Sequence, residues 1–342
     1  MFNKNELKEK AFCIAEVGQN HQGSFDLAKK YISEFASLGA DAIKFQTRDN
    51  KYLFADEAYQ KNYESENSFA ETYGKHREKL ELDKEYLPQL LKVCHKNKVK
   101  FMSTPFDEPS LDLLIDLKAD ILKVASFDLG NLPFLAKIAK ANIPMVMSVG
   151  GGQIEQIKDS VALITKHCDD LAILHCVSEY PCEANRVGLE NIEILIKEFP
   201  DLTIGLSDHY SGTITGPLGY LKGARVFEKH VTLNRSWKGT DHSFSLSRNG
   251  FKSFVKSIRL VPEMLPTKPK TELGDELVFQ KLGKSIVANK KIKPGEELTL
   301  NNLSGKIFSS IIIPVRESNK VIGKKAVREI KPGEPVTFSN LI

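Results

Sequence analysis

Two lysines, Lys44 and Lys123, sit inside short apolar runs. A buried ammonium is costly unless an anion meets it, so two such lysines aimed at one place suit a phosphate or a carboxylate. Ion pairing with an internal acid such as Glu16 is the alternative use. Two histidines, His209 and His230, close the runs GLSDH and EKH. A lone histidine is more often a packed or acid–base residue. Imidazoles from neighbouring strands can share one divalent ion and leave positions open for substrate oxygens, with Asp241 or Glu16 completing the set. Glu16 leaves its apolar run into a glycine-bracketed polar loop, which suits handling of water or a substrate hydroxyl. Ser103, Thr104, Ser126, Ser148 and Ser207 place hydroxyl donors at the ends of other apolar runs. The loop WKGTDHS holds the only tryptophan, Trp237, and can form a lid that brings Asp241 to sugar hydroxyls.

These residues need elements that bring them together. Short, apolar, often β-branched runs occur at 12–16, 42–46, 100–104, 121–125, 145–148, 172–176, 203–206 and 225–229, as expected of buried parallel strands. Segments with helical spacing lie between them, at 26–38, 86–96, 109–117, 134–141 and 189–198. Repeated strand-then-helix units predict an α/β fold, a (β/α)8 TIM barrel. Each predicted strand ends in a polar group: Glu16, Lys44 with Gln46, Ser103 with Thr104, Lys123 with Ser126, Ser148, His175, Ser207 with His209, and His230. In a barrel these ends share one mouth, so they converge.

The barrel is expected over 1–265, a linker over 266–276 and a small β-rich domain over 277–342. In the last region the run IKPGE at 292–296 recurs at 330–334, and each copy is followed by a Leu/Val-Thr pair and an Asn-Leu. Two equivalent Pro-Gly turns imply a pseudo-duplicated β module.

The 342 residues are 41% hydrophobic and 27% charged, a globular balance, and the net charge of +4 comes without a basic run. Nucleic acid is therefore not an expected partner, nor is a membrane, since no apolar stretch nears the roughly 20 residues needed to span one. The charged N-terminus lacks an apolar signal core, and the five cysteines lack CxxC spacing; both fit a cytoplasmic protein with reduced thiols. Cys176 is expected as a small packing residue, and His95 and His167 as surface residues.

The motifs IAEVGQNHQG, GADAIKFQT, FMSTPFD, ILKVASFD, LHCVSEYP, IGLSDH, FEKHVTL and WKGTDHS, in this order, resemble the sialic acid synthase family. The last 66 residues resemble the antifreeze-like (SAF, β-clip) domain. The resemblance implies a transferase of nonulosonic acid biosynthesis that condenses phosphoenolpyruvate with an N-acylmannosamine-type hexosamine and releases phosphate. It implies a divalent metal, manganese ahead of magnesium or cobalt, held by His209 and His230. It also implies a domain-swapped homodimer in which the small domain of one chain caps the barrel of the other. Glu16 matches the acid that positions water or the reacting hydroxyl. Lys44, Thr104, Lys123, Ser126, Ser148 and Ser207 match groups that hold phosphoenolpyruvate. Tyr180 and Asp241 match sugar contacts, and Asn67 matches a further one.

Some positions depart from the family pattern. The fourth strand ends in KVASFD, with Ala125 and Asp128 where many bacterial members have glycine and glutamate. Ile307, beside Lys306, stands where many have a sugar-binding arginine. The wording QNHQG, TYG and WKGTDHS is closer to the animal branch, which takes a 6-phosphorylated hexosamine. Lys75, His76 and Arg77 can serve such a phosphate, although the charged run at 75–84 reads first as a solvated helix face. Legionaminate-type and pseudaminate-type synthases are also compatible. Remoter alternatives are a Schiff-base aldolase using Lys123 or Lys44, and a non-catalytic sugar-binding protein.

Overall fold

The computed structural model describes residues 1–2, 7, 10–269, 274 and 276–342. The chain divides into two compact units, Met1–Leu265 and Pro266–Ile342. The expected linker at 266–276 falls partly on 270–273 and 275, outside the described residues.

The first unit is a closed barrel of eight parallel strands in sequence order: β1 (Phe12–Gly18), β2 (Ala42–Thr47), β3 (Lys100–Pro105), β4 (Ile121–Val124), β5 (Met145–Ser148), β6 (Leu171–Cys176), β7 (Thr203–Asp208) and β8 (Val226–His230). The helices of this unit are α1 (Phe25–Ser37), α2 (Asn50–Leu53), α3 (Asp56–Gln60), α4 (Tyr73–Leu80), α5 (Leu87–Lys96), α6 (Glu108–Asp116), α7 (Leu132–Lys140), α8 (Ile154–Ile164), α9 (Glu190–Glu198), α10 (Thr215–Leu221) and α11 (Arg248–Met264). The eight-stranded barrel expected from the sequence is therefore present.

Two-residue alternation sorts the strand side chains. Cys13, Ile43, Phe101, Leu122, Met147, Ile173, Leu206 and Phe227 belong to the large apolar cluster that includes the helix residues Phe35, Leu90, Ile138 and Phe254. The opposite parity fills the barrel interior. Ile14, Ala42, Met102, Ile121, Val146, Ala172, Leu174 and Val226 form a separate cluster, closed by Phe2 and Leu7. Two residues further along each strand, the same inward parity turns polar, as it must where the interior opens at the C-terminal mouth. Helix ends are set by capping: Ser24, Asp107 and Ser247 accept from backbone N–H groups in the first turns of α1, α6 and α11.

The second unit holds a short helix α12 (Leu277–Leu282) and an antiparallel pair, β9 (Lys284–Ala288) with β10 (Leu303–Ile307). Its own core contains Ile286, Ile292, Leu298, Ile313, Val321, Ile330 and Val336. The sequence echo is structural. Ile292 and Ile330 exchange backbone hydrogen bonds, both 3.0 Å. Gly295 and Gly333 turn at φ +81° and +80°, a region that favours glycine. Glu296 and Glu334 each accept from the backbone N–H three residues earlier, both at 2.9 Å.

Candidate active site

The inward parity at the mouth brings Glu16, Lys44, Gln46, Thr104, Lys123, Ser148, Cys176, Ser207, Glu228 and His230 to one cavity of about 380 Å³. Ser126, Tyr180, His209 and Asp241 join it from the segments after β4, β6, β7 and β8. Strand register explains the proximity. Glu16 pairs laterally with Lys44 on one side and His230 on the other, and Ser207 pairs with Glu228. Gly18 lies against these groups at φ +55°, where a Cβ would stand 3.2 Å from Glu16 Oε1 and 3.3 Å from Gln46 Nε2.

Three expected site residues lie elsewhere. Ser103 neighbours Thr104, so alternation turns it outward, where it bonds Thr47 Oγ1 at 2.8 Å. Asp128 lies in the short turn Ser126–Asp128 beyond the lining and accepts from Asn131 at 3.0 Å. Asn67 is not in the lining either; its side-chain Oδ1 accepts from Gly239 N–H at 2.9 Å and so braces the Trp237 loop. His175 also faces outward, held by the Val187 carbonyl at 2.7 Å. Conversely, Cys176 is more than a packing residue, because its parity is that of Leu174 and it lines the cavity.

Glu228 was not foreseen. It sits two residues before His230 on the same strand face, which is the signal that could have found it. Its carboxylate lies 3.4 Å from Lys44 Nζ and 3.9 Å from Lys123 Nζ, while Lys44 also pairs with Glu16 at 2.9 Å. Lys123 Nζ donates to Ser148 Oγ at 2.7 Å and to the Val124 carbonyl at 2.9 Å. Two ammonium groups thus share two carboxylates in a buried array. Burial, opposed by Lys44 and reinforced by Glu228, pushes Glu16 up to about 7. Burial also works against the charge of Glu228, but Lys123 and Lys44 outweigh it and hold the carboxyl below its ordinary range. Burial pushes Lys123 below its ordinary value, whereas at Lys44 the two carboxylates overcome burial and raise it.

His209 and His230 face each other with ring centroids 5.3 Å apart. His209 Nδ1 is 2.8 Å from the Val177 carbonyl, which only accepts; the neutral ring therefore donates there and keeps its Nε2 lone pair free. His230 Nδ1 is buried without a hydrogen-bond partner, and Asp241 Oδ2 lies 3.6 Å away. Among the described residues no three His, Cys, Asp or Glu groups gather into a closed metal cage. Two imidazoles with an orphaned nitrogen and a nearby carboxylate do fit an open site, in which substrate or water oxygens complete the coordination.

A second wall of the cavity takes in His76 and Arg77, two of the three residues that can serve a sugar phosphate, and adds Tyr73 and Arg48. The run at 75–84 is not simply solvated. Helix α4 turns Tyr73, His76 and Arg77 to the cavity at i, i+3 and i+4, and leaves Lys75 exposed. Arg48, just beyond β2, joins them; it is 8% exposed and stacks on Phe106 with 3.8 Å to the ring centroid.

Residues 31–270 match the NeuB family, and residues 283–342 match the SAF domain. The chain belongs to the NeuB family. Within it, N-acetylneuraminate-9-phosphate synthase of Mus musculus is 35% identical over 330 residues, covering 96% of this chain and 92% of that one. N,N'-diacetyllegionaminic acid synthase of Campylobacter jejuni is 34% identical, covering 95% and 98%. The crystal structure of an N-acetylneuraminic acid synthetase from Leptospira borgpetersenii in complex with citrate superposes with a TM-score of 0.69 at 28% identity, covering 78% of this chain and 90% of that one.

Proposed function

We propose that this NeuB-family chain is a nonulosonic acid synthase, a transferase that joins phosphoenolpyruvate to the aldehyde of an N-acyl hexosamine and releases phosphate. The observation that carries the reading is the convergence, in one cavity, of a buried lysine pair, an open histidine pair and a carboxyl pushed up to about 7. The lysine pair matches the phosphate and carboxylate of phosphoenolpyruvate, with Thr104, Ser126, Ser148 and Ser207 as hydroxyl donors. The names of the two relatives and of the superposed structure support the same class of product.

His209 and His230 would hold a divalent ion, which we take to be manganese, and when bound it would supply Lewis-acid polarisation of an aldehyde oxygen. The remaining steps fall to the chain's own groups. Lys44 and Lys123 fix the enol face of phosphoenolpyruvate, so that its C3 meets the aldehyde carbon in one orientation. The enol π pair forms the C–C bond, the aldehyde oxygen takes the proton of the Glu16 carboxyl, and C2 becomes electron-poor. Water then adds to C2, and Glu16 takes its proton; a carboxyl titrating near 7 is suited to that transfer. The C2–O bond breaks, phosphate leaves with the second proton of that water, and the water oxygen becomes the keto oxygen. Tyr180 and Asp241 face the sugar.

We take the working form to be the domain-swapped homodimer that the family resemblance implies, in the cytoplasm. Phe127 and Tyr180 at the mouth are 75% and 46% exposed, apolar rings that a capping module would cover. Among the described residues no helix is long and apolar enough to cross a membrane.

Phosphate release from phosphoenolpyruvate, screened against N-acyl hexosamines with and without manganese, tests the reading. The expected result is release that requires both a sugar and the metal, is abolished by a chelator and is restored by manganese. Borohydride trapping of pyruvate on Lys123 or Lys44 with no sugar-dependent phosphate release would point to a Schiff-base aldolase instead.

A further inference from the structure

Behind the two histidines, on the outward face of β7 and β8, lies a buried ion pair that the chemistry above does not use. Asp208 and Lys229 are lateral partners across these strands, and Lys229 Nζ stands 2.5 Å from Asp208 Oδ2. We propose that this pair positions the histidine site: one ammonium clamps the backbone on both sides of His209 to the residue before His230, and so sets the opening that a divalent ion would fill. This rests on the metal-site reading above and names the residues that hold the width of that site.

Stability does not account for the pair. Leu206 and Phe227, the preceding residues of the same parity, belong to the apolar cluster that joins the barrel to its helices. Asp208 and Lys229 continue that face with side chains 2% and 1% exposed, and the ammonium lies 5.8 Å from the Phe254 ring centroid. Desolvation of two charges offsets most of their attraction, so apolar residues of similar volume would serve stability as well or better. Near the mouth between β2 and β3 the outward polar contact is made by neutral groups, Thr47 and Ser103 at 2.8 Å. A charged pair beside the histidines therefore has another use, and fixing one arrangement of its neighbours is the use best attested for buried ionic groups.

The contacts of the pair show what it holds. Lys229 Nζ donates to Asp208 and to the carbonyl of Tyr210, the two neighbours of His209. Asp208 Oδ1 accepts from Tyr210 N–H at 3.0 Å, which closes the turn around the histidine, and Asp208 Oδ2 accepts from Thr215 at the start of α10. His209 gives its own carbonyl to Cys182 N–H at 3.0 Å. The chain is thus held before, at and after His209, and the other end of the clamp adjoins His230 in the sequence.

The rings themselves are only loosely tied. His209 Nδ1 reaches the Val177 carbonyl, but His230 Nδ1 has no hydrogen-bond partner, lies 3.6 Å from Asp241 and packs on Phe244 with 5.1 Å between ring centroids. The 5.3 Å separation of the two imidazoles therefore follows largely from the backbone that carries them. Two ring nitrogens must each come within about 2 Å of one ion, and a site of this kind tolerates about 0.5 Å of displacement. Lys44 and Lys123 stand on β2 and β4, away from the clamp, so its loss should disturb the ion and spare the anchors of phosphoenolpyruvate.

The test measures manganese binding to the full chain without substrates, by paramagnetic resonance of the free ion, beside equilibrium binding of phosphoenolpyruvate without metal. The variant combines Asp208→Asn with Lys229→Met, which removes both charges at similar volume and is expected to keep the barrel folded. Its manganese affinity is expected to fall by about tenfold or more, the loss typical of altering groups that orient metal ligands, with phosphoenolpyruvate affinity within about twofold of native. Thr215→Val, which takes one hydrogen bond from Asp208, is expected to weaken manganese binding by a smaller factor. Native manganese affinity in the folded double variant would overturn the inference, and so would an equal fall in both affinities, the mark of a general structural role. If the double variant does not fold, Thr215→Val decides by the same split. Manganese binding that is absent from the native chain, or that survives His209→Ala, would count against the metal reading itself. The clamp is then judged from metal-free crystal structures: a ring separation that stays at 5.3 Å in the variant would overturn it, and a widened one would support it.

Discussion

The two cationic walls of the cavity are built in opposite ways. Lys44 and Lys123 stand on strands inside a hydrogen-bonded barrel, and their charges are met by Glu16 and Glu228. Arg48 and Arg77 stand beyond a strand end and on an eight-residue helix, and share one acid. A strand holds a side chain to a register set by its neighbours, which suits groups that must meet reacting atoms. A loop or short helix changes at little cost to the barrel, which suits the part of a site that chooses among substrates. The lysines assigned to the chemistry are thus matched by two buried carboxylates, whereas the two arginines share the single acid Glu81.

Truncating the lysine wall should break that contrast most severely. Lys44→Met leaves two buried carboxylates facing each other. It is expected to lower kcat/KM for phosphoenolpyruvate by about 10²–10³-fold, the loss typical of removing one partner of a buried charged pair. Steady-state phosphate release checks this, and thermal unfolding should show a lower Tm for the same variant.

Acid should act on the arginine wall through His76. Its folded pKa of about 4 lies below the ordinary 6.5. Between those values the unfolded chain binds more protons, so the contribution is intact above about 6.5 and is lost as pH falls towards 4. Urea unfolding at pH 7 and pH 5 should show a loss of up to about 2 kcal/mol from this group, reduced in His76→Gln. An unchanged pH dependence in that variant would mean that His76 is not held neutral.

The gentlest test removes compensation and leaves the lysines in place. Glu228→Gln is expected to tighten binding of inorganic phosphate by about tenfold while lowering kcat, because the lysines lose a competing anion. Calorimetric titration with phosphate measures it; weaker binding at an unchanged Tm would show that Glu228 shapes the site in another way.

Much of this arrangement is legible in the residue order. Short β-branched runs ending in polar groups announce the eight strands, because a strand buried on both faces has no choice but to be apolar until it reaches the mouth. Parity was harder to apply. Ser103 and Thr104 are both polar at one strand end, and only alternation counted from Met102 shows that Thr104 points inward. The same count would have excluded His175 and selected Cys176 and Glu228. The arginine wall was obscured for another reason. Tyr73, His76 and Arg77 have helical spacing, but in a charged run that spacing looks like a solvated face until the cavity beside it is known. Arg48 lies outside any periodic element, and Asn67 bonds the Trp237 loop through a contact that no local pattern encodes.

A crystal structure of the full chain with phosphoenolpyruvate and manganese would show which groups of the cavity hold the phosphate, the carboxylate and the ion. The expected result places the phosphate and carboxylate within hydrogen-bond reach of Lys44 and Lys123, the ion on His209 and His230, and the arginine wall free for the second substrate. Phosphoenolpyruvate seated on Arg48 and Arg77, or an ion bound away from both histidines, would contradict it.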